Sequence, residues 1–446
     1  MHPLVNMLPP SSNAQASSPL DWKPPRLKVL IIDEEVPFPP NAGKRIRTWN
    51  LLRRLAQNHD LTLLCYGSPE KTNLQAVQEV GIRVHLVPTS TVRNTGWMLY
   101  LRLFMNLFSR YPFSVVKHYS SAFQGALDSL LAGEDWDLVQ CEWTPYMQFL
   151  KRKLPCPILV ATQNVETQIW ERRALHGRNI LESVFFRMQA RKMARFEVES
   201  LRFASAVTAV TALDSMTMSQ WGVKNIAVVA NGADTESFGN IREAEQDNQL
   251  VSISSLDWYP NQDALEFFVY QIFPQIRNRR PDVVFSIVGR RPPKSLQQKF
   301  ADIPGVVFLG EVKDVHSSLG SATVVVVPLR IGGGSRLKIL EALAAGKAVV
   351  STSVGAEGLD LDSGKHLVVA DDPREFVEKV IELLDSPDER RRLGEAGRLR
   401  VIESYDWANI AKSLEGVWLR TCSRANAGSH RPDRSQTDSA APAGSG

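Results

Sequence analysis

Residues 324–359 read VVVVPLRIGGGSRLKILEALAAGKAVVSTSVGAEGL, and this stretch decides how the chain folds. It contains a β-branched apolar run, three consecutive glycines, a helical segment that opens with two basic residues, and a second apolar run. A strand, a glycine loop and a helix N-terminus in this order form a concave anion site, because backbone N–H groups converge there and the helix dipole adds positive potential. The stretch therefore predicts an α/β unit that binds a phosphate-bearing ligand.

The start of the predicted helix is unfavourable unless an anion is bound. Ser335 is predicted as the N-cap, with Arg336 and Lys338 in the first turn. Cations at that end oppose the helix dipole, so a bound anion is expected to compensate them. Glu341 follows one turn after Lys338. It is either the partner of Lys338 in a surface ion pair or a carboxylate that accepts hydrogen bonds from ribose hydroxyls.

Composition places the chain among globular proteins: 446 residues, 43% hydrophobic, 22% charged, with a net charge of +4. This charge excludes a strongly basic nucleic-acid-binding arm. The four cysteines lie far apart without a C-x-x-C pair, which favours reduced thiols in a cytoplasm. The histidines form no metal-binding pattern. The D-x-D strings at residues 135–137 and 360–362 fall at a strand start and in a late loop, so we expect no metal site.

Two series of apolar runs alternate with helical periods, which predicts two doubly wound α/β domains with parallel sheets rather than one large domain. The first domain is expected at residues 26–238 and the second at residues 250–404, with a polar linker at 239–249. A helix at residues 405–421 is expected to pack back on the first domain. The polar tails at 1–25 and 422–446 are predicted to be disordered. Ligands of such sheets bind beyond the carboxyl ends of the strands, so the cleft between the domains is the predicted site.

Membrane contact is predicted only at the surface. No run reaches the about 20 apolar residues of a membrane span, and the first 25 residues lack the apolar run of a signal peptide. Residues 97–111, WMLYLRLFMNLFSRY, are either a helix packed on the core or a segment that lies in a membrane interface.

The segment GGGSRLKILEA, followed by GAEGL, resembles the bacterial branch of the retaining glycosyltransferases of family 4 (glycosyl transferases group 1). SSLDWYPNQDALEFF, IVGRRP, VVFLGEV and VVANGAD are similar to further family stretches, so the resemblance covers nearly all of residues 26–420. It implies a GT-B fold, with two Rossmann-like domains facing each other across a cleft. It also implies transfer of a sugar, without a metal or another cofactor, from a nucleotide-diphosphate donor to a glycan or lipid-linked hydroxyl in exopolysaccharide or cell-envelope biosynthesis. The expected location is the cytoplasm or the inner face of its membrane.

The resemblance also implies site residues. Arg336 and Lys338 would be the catalytic diphosphate ligands, and Glu341 would hold the donor ribose. The remaining donor-side candidates are Gly43, Gly289, Arg290, Gly310, Gly333, Gly334, Ser335 and Glu357. The candidates on the acceptor or sugar side are Lys44, Arg45, Gln163 and Asn164.

The chain departs from the family pattern at three places. Gly333 stands where the first acid of the family's Glu-x7-Glu motif belongs, and Gln163 stands where the family usually has His. The Arg/Lys pair that normally follows the first strand of the second domain is absent, since that region has Leu256, Asp257 and Asn261. Two alternatives therefore stand beside sugar transfer. One is a nucleotide-sugar 2-epimerase on the same fold, and the other is a nucleotide-sugar binding protein that has lost catalysis.

Overall fold

The computed structural model describes residues 25–68, 73–88, 97–175, 179–241, 243–312, 314–331 and 336–429. The candidates Gly333, Gly334 and Ser335 lie outside these ranges, as do most of the two predicted tails.

The first half of the chain forms a parallel sheet between two layers of helices. Its strands are β1 (Lys28–Glu35), β2 (Asp60–Tyr66), β3 (Arg83–Val87), β4 (Leu138–Cys141), β5 (Ile158–Ala161), β6 (Ala206–Ala209) and β7 (Ile226–Val228). Their order in the sheet is β3-β2-β1-β4-β5-β6-β7, and every pairing is parallel. Strands β4, β5 and β6 are buried throughout, because helices cover both faces.

The helices of this half connect successive strands. They are α1 (Gly43–Leu55), α2 (Leu74–Glu79), α3 (Trp97–Leu107), α4 (Phe113–Val116), α5 (Ser121–Gly133), α6 (Glu166–Leu175), α7 (Ile180–Phe203) and α8 (Ala212–Gln220), with a 3₁₀ turn at Thr144–Phe149.

The second half repeats the same plan with six parallel strands. They are β8 (Gln249–Ser255), β9 (Val284–Arg290), β10 (Val306–Gly310), β11 (Val324–Val327), β12 (Val349–Ser351) and β13 (Val368–Val369), in the order β10-β9-β8-β11-β12-β13. The helices are α9 (Thr235–Gly239), α10 (Tyr259–Phe267), α11 (Phe273–Arg279), α12 (Lys294–Phe300), α13 (His316–Ser321), α14 (Leu337–Ala344), α15 (Ser353–Ala356), α16 (Pro373–Asp385) and α17 (Pro387–Tyr405), with a π-helical turn at Phe268–Ile272. The predicted pair of doubly wound parallel sheets is confirmed.

The chain crosses between the two halves at two adjacent points. The backbone N–H of Ala233 donates to the carbonyl of Tyr405 at 2.8 Å, and the N–H of Trp407 donates to the carbonyl of Ala233 at 3.3 Å. Helix α18 (Trp407–Ser429) then packs against α1 and buries Trp418 in the first core. The helix runs beyond residue 421, where its end was expected, and Cys422 is still buried.

Each sheet has one point at which the strand order reverses: between β1 and β4 in the first, and between β8 and β11 in the second. The connecting helices on either side of such a point lie on opposite faces, so a crevice opens at the carboxyl ends of the strands. We call these the N-terminal crevice and the C-terminal crevice. The N-terminal crevice contains Asp33, Glu34, Lys44, Glu142 and Trp143. The C-terminal crevice contains Ser254, Asn261, Arg336, Lys338 and Glu341.

Candidate active site

The C-terminal crevice is built around the first residues of α14. The helix begins at Leu337, and its N-cap is Arg336, whose side chain makes no capping hydrogen bond. The prediction that Ser335 caps this helix is therefore wrong, and Arg336 precedes the first turn instead of lying in it. Lys338 lies in the first turn, as predicted. Both cations are therefore at the positive end of the helix dipole.

Lys338 reaches from α14 to the loop that follows β8. Its Nζ donates to Ser254 Oγ at 2.7 Å and to Asn261 Oδ1 at 2.9 Å. Asn261 in turn donates to the backbone carbonyl of Ser255 at 2.7 Å. The ammonium therefore lies on neutral oxygens at the place where the family's Arg/Lys pair is missing, and α14 supplies a cation there instead.

Burial favours the uncharged forms of the lysine and the glutamate in this crevice. Burial lowers the pKa of Lys338 to about 7, and the neighbouring Arg336 adds to this shift while Glu341 opposes it. Burial raises the pKa of Glu341 to about 7, against the effect of His316 and Lys338. Such shifts are typical of binding sites that an ionic ligand completes.

Arg336 lies among charged groups from both halves of the chain. Burial lowers the pKa of Arg336 to about 10, and the carboxylate of Glu357 opposes this shift while Arg172 adds to it. Arg172, near the end of α6, donates to both carboxylate oxygens of Glu357 at 3.1 and 3.2 Å. Asp214 of α8 is a further carboxylate that acts on Arg336. The predicted donor residue Glu357 therefore lies beside Arg336 and joins the two halves.

The remaining donor-side candidates lie at different distances from this crevice. A Cβ on Gly43 would be 3.5 Å from Leu337 Cδ1, so the first residue of α1 faces the start of α14. Arg290 donates to Ser255 Oγ at 3.1 Å and lies 3.6 Å from a carboxylate oxygen of Asp257. Gly289 is paired with Ser254 at the side of this crevice, and Gly310 lies further away.

These two glycines have local structural roles. A Cβ on Gly289 would be 2.2 Å from the carbonyl oxygen of Ser254, so only glycine allows β9 to approach β8 this closely. Gly310 has φ +70° at the end of β10, the edge strand, two strands away from the crevice.

The cations predicted for the N-terminal crevice are paired with acids at the end of β1. Lys44 Nζ lies 2.5 Å from Asp33 Oδ1 and 3.2 Å from Glu34 Oε1. Arg45 Nε donates to Glu35 Oε1 at 2.7 Å. The charges of both basic residues of this loop are therefore compensated by acids at the end of β1.

Burial and pairing both affect the titration of this crevice. Burial disfavours the charged form of Lys44, but Asp33 and Glu34 outweigh it and raise the pKa of Lys44. Burial raises the pKa of Asp33 to about 7, although Lys44 opposes the shift.

Gln163 holds a buried carboxylate. Its Nε2 donates to Glu142 Oε2 at 3.3 Å, and Thr48 Oγ1 donates to the same oxygen at 3.3 Å. Glu142, directly after β4, is only 1% exposed. Asn164 follows Gln163 after β5 and is partly exposed.

Several residues in these crevices were not predicted from the sequence. Those of the C-terminal crevice and its mouth are Ser254, Arg172 and Asp214. Those of the N-terminal crevice are Asp33, Glu34 and Glu142. The acids at the end of β1 had a visible signal, because DEE follows an apolar strand directly. Within the described ranges, no three His, Cys, Asp or Glu side chains are grouped to hold a metal ion.

Comparisons with known proteins find matches to both halves of the chain. The model of glycosyl transferases group 1 matches residues 247–386, and that of the glycosyl transferase 4-like domain matches residues 42–232. A mannosyltransferase of Mycolicibacterium hassiacum, named MMP alpha-(1->4)-mannosyltransferase, is 30% identical over 325 residues, which are 67% of this chain and 74% of that protein. The chain belongs to the glycosyl transferases group 1 family.

A second relative and a solved structure extend the comparison. The phosphatidyl-myo-inositol mannosyltransferase of Mycobacterium tuberculosis is 28% identical over 212 residues, which are 43% of this chain and 53% of that protein. The sucrose-phosphate synthase of Thermosynechococcus elongatus superposes with a TM-score of 0.66 at 15% identity, covering 90% of this chain and 100% of that one. This group 1 glycosyltransferase therefore has the GT-B fold.

Proposed function

We propose that this glycosyltransferase binds a nucleotide-diphosphate sugar in the C-terminal crevice and transfers the sugar to a hydroxyl of a glycan or lipid-linked acceptor. The proposal places the reaction in exopolysaccharide or cell-envelope biosynthesis and assigns the chain to the branch with the GGGSRLKILEA signature. The observation that carries it is the position of Lys338, an ammonium bonded to neutral oxygens at a helix N-terminus. Such a group favours a diphosphate over a neutral ligand.

In this proposal Arg336 and Lys338 are the catalytic residues. As the bond from the anomeric carbon to the diphosphate breaks, negative charge develops on the leaving diphosphate. Fixed cations stabilise that charge without reorganising, which is the electrostatic effect that dominates many enzymes. They supply it without a metal ion. The family's retaining outcome follows if the leaving phosphate takes the proton of the acceptor hydroxyl on the same face of the sugar.

The other donor contacts follow from position along α14 and the facing loops. Glu341 lies one turn beyond Lys338 and would accept hydrogen bonds from the ribose hydroxyls. Gly43, Arg290 and Glu357 border the crevice. Because Gly333 is not an acid, Glu357 is the carboxylate that we assign to the donor sugar.

Relatives indicate which donors to test first. Both curated relatives described above are named mannosyltransferases. The full chain would be incubated with nucleoside-diphosphate hexoses, mannose donors first, and free nucleoside diphosphate measured with and without glycan acceptors. Release only with acceptor supports transfer. An epimerised donor without release would support the 2-epimerase, and tight donor binding without either would support the binding protein.

We also propose that the enzyme works on the cytoplasmic face of a membrane, with α3 against the lipid. The apolar side chains of α3 and the following turn are unusually exposed: Trp97, Tyr100, Leu101, Phe104, Met105 and Phe108. Within the described ranges, no helix is long and apolar enough to cross a bilayer. An interfacial helix inserts such aromatic and aliphatic groups at the level of the headgroups.

Vesicle binding tests this surface. Wild-type protein is expected to co-sediment with anionic phospholipid vesicles, and a Tyr100→Ser, Phe104→Ser double variant is expected to remain in solution. A Leu309→Ser, Val307→Ser variant on the exposed side of β10 serves as the matched control. Equal sedimentation of all three proteins would contradict the proposed contact.

A further inference from the structure

We propose that Arg47 is a positioning residue that fixes the first crossover of the chain to α1 and so sets how the two halves face each other. The first crossover is residues 229–235, which link β7 to α9, and the second crossover is residues 405–407. The importance of this position for sugar transfer rests on the proposed function, whereas the position itself is a property of the fold.

The guanidinium of Arg47 binds three successive residues of the first crossover. Arg47 lies on the buried side of α1 and is only 1% exposed. Its Nη1 donates to the backbone carbonyl of Ala230 at 2.6 Å and to Asn231 Oδ1 at 2.9 Å. Its Nη2 donates to the carbonyl of Val229 at 2.8 Å. Because the donors of a guanidinium form a rigid planar fork, this contact fixes the direction of the crossover as well as its distance from α1.

The acceptors of this buried cation are neutral oxygens. Burial lowers the pKa of Arg47 to about 10, although the carboxylate of Glu142 opposes the shift, so the group is still charged at neutral pH. Burying a charge against neutral partners costs free energy that an aliphatic side chain of similar length would avoid. Stability alone therefore does not explain the charge, and the guanidinium indicates a role in selecting one arrangement of the crossover.

The first crossover passes its position on to the second, because the two are packed without free space between them. A Cβ on Gly232 would lie 2.7 Å from the carbonyl oxygen of Tyr405 and 2.8 Å from Cδ2 of Trp407. Thr235 Oγ1 donates to Asp406 Oδ2 at 2.6 Å. A shift of the first crossover would therefore displace the second crossover as well.

Helix α1 connects Arg47 to the C-terminal crevice. Its first residue, Gly43, faces the start of α14, since a Cβ there would be 3.5 Å from Leu337 Cδ1. Near its other end, Arg53 lies 3.3 Å from a carboxylate oxygen of Asp234 in the first crossover. The 13 residues of α1 form a rod about 20 Å long, so a displaced crossover would move α14 relative to α1. A displacement of about 1 Å between groups that act together can lower a rate about 10²-fold.

Distances between spin labels in the two halves test the proposal directly. Labels at Gln78→Cys and Gln298→Cys use exposed positions of α2 and α12, and the native cysteines are buried. With Arg47 in place, the full chain should give one narrow distance distribution by double electron–electron resonance. Arg47→Met should broaden or shift it, because methionine cannot donate to the crossover. Arg54→Met is the matched control and should leave it unchanged, since the guanidinium of Arg54 donates to Asn50 of the same helix.

A second variant keeps the test decisive if Arg47→Met does not fold. Arg47→Lys retains the charge but not the planar fork, so it should change the distance distribution in the same way and to a smaller extent. A wild-type distribution in both variants, or in Arg47→Lys where Arg47→Met does not fold, would overturn the proposal. A lower unfolding temperature with an unchanged distribution has the same meaning, because Arg47 would then only stabilise the first half.

Kinetics measure the effect on the proposed reaction. In Arg47→Met, kcat should fall about 10- to 100-fold, while donor affinity measured by calorimetry should stay within about threefold, because Arg336 and Lys338 are unchanged. Loss of donor affinity with an unchanged distance distribution would count against a positioning role. If the wild type transfers no sugar, the proposed function fails, and the distance measurement still decides the role of Arg47.

Discussion

The two crevices of this glycosyltransferase have the same topology, but their lysines have different partners. In each sheet the crevice opens at the point where the strand order reverses. This point lies between β1 and β4 in the first half and between β8 and β11 in the second. In the C-terminal crevice, Lys338 donates to the neutral oxygens of Ser254 and Asn261. In the N-terminal crevice, Lys44 contacts two carboxylates, those of Asp33 and Glu34.

Topology therefore determines where a site lies, and side chains determine which ligand binds there. A lysine follows the reversal point in both halves, so counting basic residues would make the two crevices equivalent. The two crevices are distinguished by the groups that their lysines contact. In the proposed function, the C-terminal crevice binds the donor diphosphate through the lysine whose partners are neutral.

Removing the ammonium group of Lys338 should have the largest effect on sugar transfer. Lys338→Met is expected to lower kcat/KM for transfer by about 10²–10³-fold, the usual cost of losing one preorganised charge-stabilising group. The free protein should be as stable as the wild type or more stable, because a partly buried ammonium at a helix N-terminus opposes folding. Steady-state kinetics and thermal unfolding measure both effects. Lys299→Met, which removes an exposed lysine paired with Glu266, is the control for charge. A Lys338→Met protein that retains full turnover would refute the role of the C-terminal crevice.

The contact that joins the crevices can be broken at Gly358. This residue has φ +78°, and a Cβ would be 2.4 Å from Thr211 Cγ2 in the first half. Gly358→Ala should cost about 1–2 kcal/mol for the left-handed backbone and should also force the halves apart. Gly364→Ala is the matched control, since Gly364 has φ +79° with no atom within 4 Å of its Cβ position.

Both glycine variants should therefore lose stability in urea unfolding, Gly358→Ala at least as much as Gly364→Ala, and only Gly358→Ala should lose transfer. Thr211→Ser, which removes the clashing methyl group and keeps the hydroxyl that caps α8, should restore part of that transfer. Equal activity of the two glycine variants would show that the halves need not meet at this point.

The fold was predictable from the sequence because its signals are local. Runs such as residues 324–327 are β-branched and apolar on both faces, which is typical of strands covered by helices on either side. The start of α14 was predictable to within one residue, although its N-cap is Arg336 and not Ser335. Such boundaries depend on backbone angles that side-chain patterns determine only approximately.

The charges of the site could not be assigned from the sequence because they depend on contacts distant along the chain. Lys338 bonds to Ser254 and Asn261, 84 and 77 residues away. Arg172 and Glu357 are separated by 185 residues. The compensation of Lys44 is the exception, since DEE lies about ten residues upstream and the turn that brings the groups together is short.

Donor binding at the C-terminal crevice should depend on pH. Burial lowers the pKa of Lys338 to about 7, and an anionic donor favours the charged ammonium and raises that pKa on binding. Donor affinity is then fully present below pH 7 and falls about tenfold per pH unit above it. Because burial also raises the pKa of Glu341 to about 7, the titration is best followed by calorimetry in Glu341→Gln. A donor affinity independent of pH between 6.5 and 8.5 in Glu341→Gln would exclude Lys338 as the titrating ligand.

The smallest effect is expected from the ion pair across the mouth of the crevices. Arg172 and Glu357 are each 28% exposed, and pairs with this exposure contribute about 0.3–1 kcal/mol. Arg172→Ala should therefore raise the donor KM only about two- to fivefold, through a weaker closed state, and leave kcat nearly unchanged. Arg173→Ala, on the adjacent residue that lies over the ring of Phe186, is the control and should change neither. A double-mutant cycle with Glu357→Gln separates the pair from direct donor contact. If Glu357 only closes the cleft, Glu357→Gln has no further effect in Arg172→Ala. If Glu357 also binds the donor sugar, as we propose, Glu357→Gln raises the donor KM further in the Arg172→Ala variant.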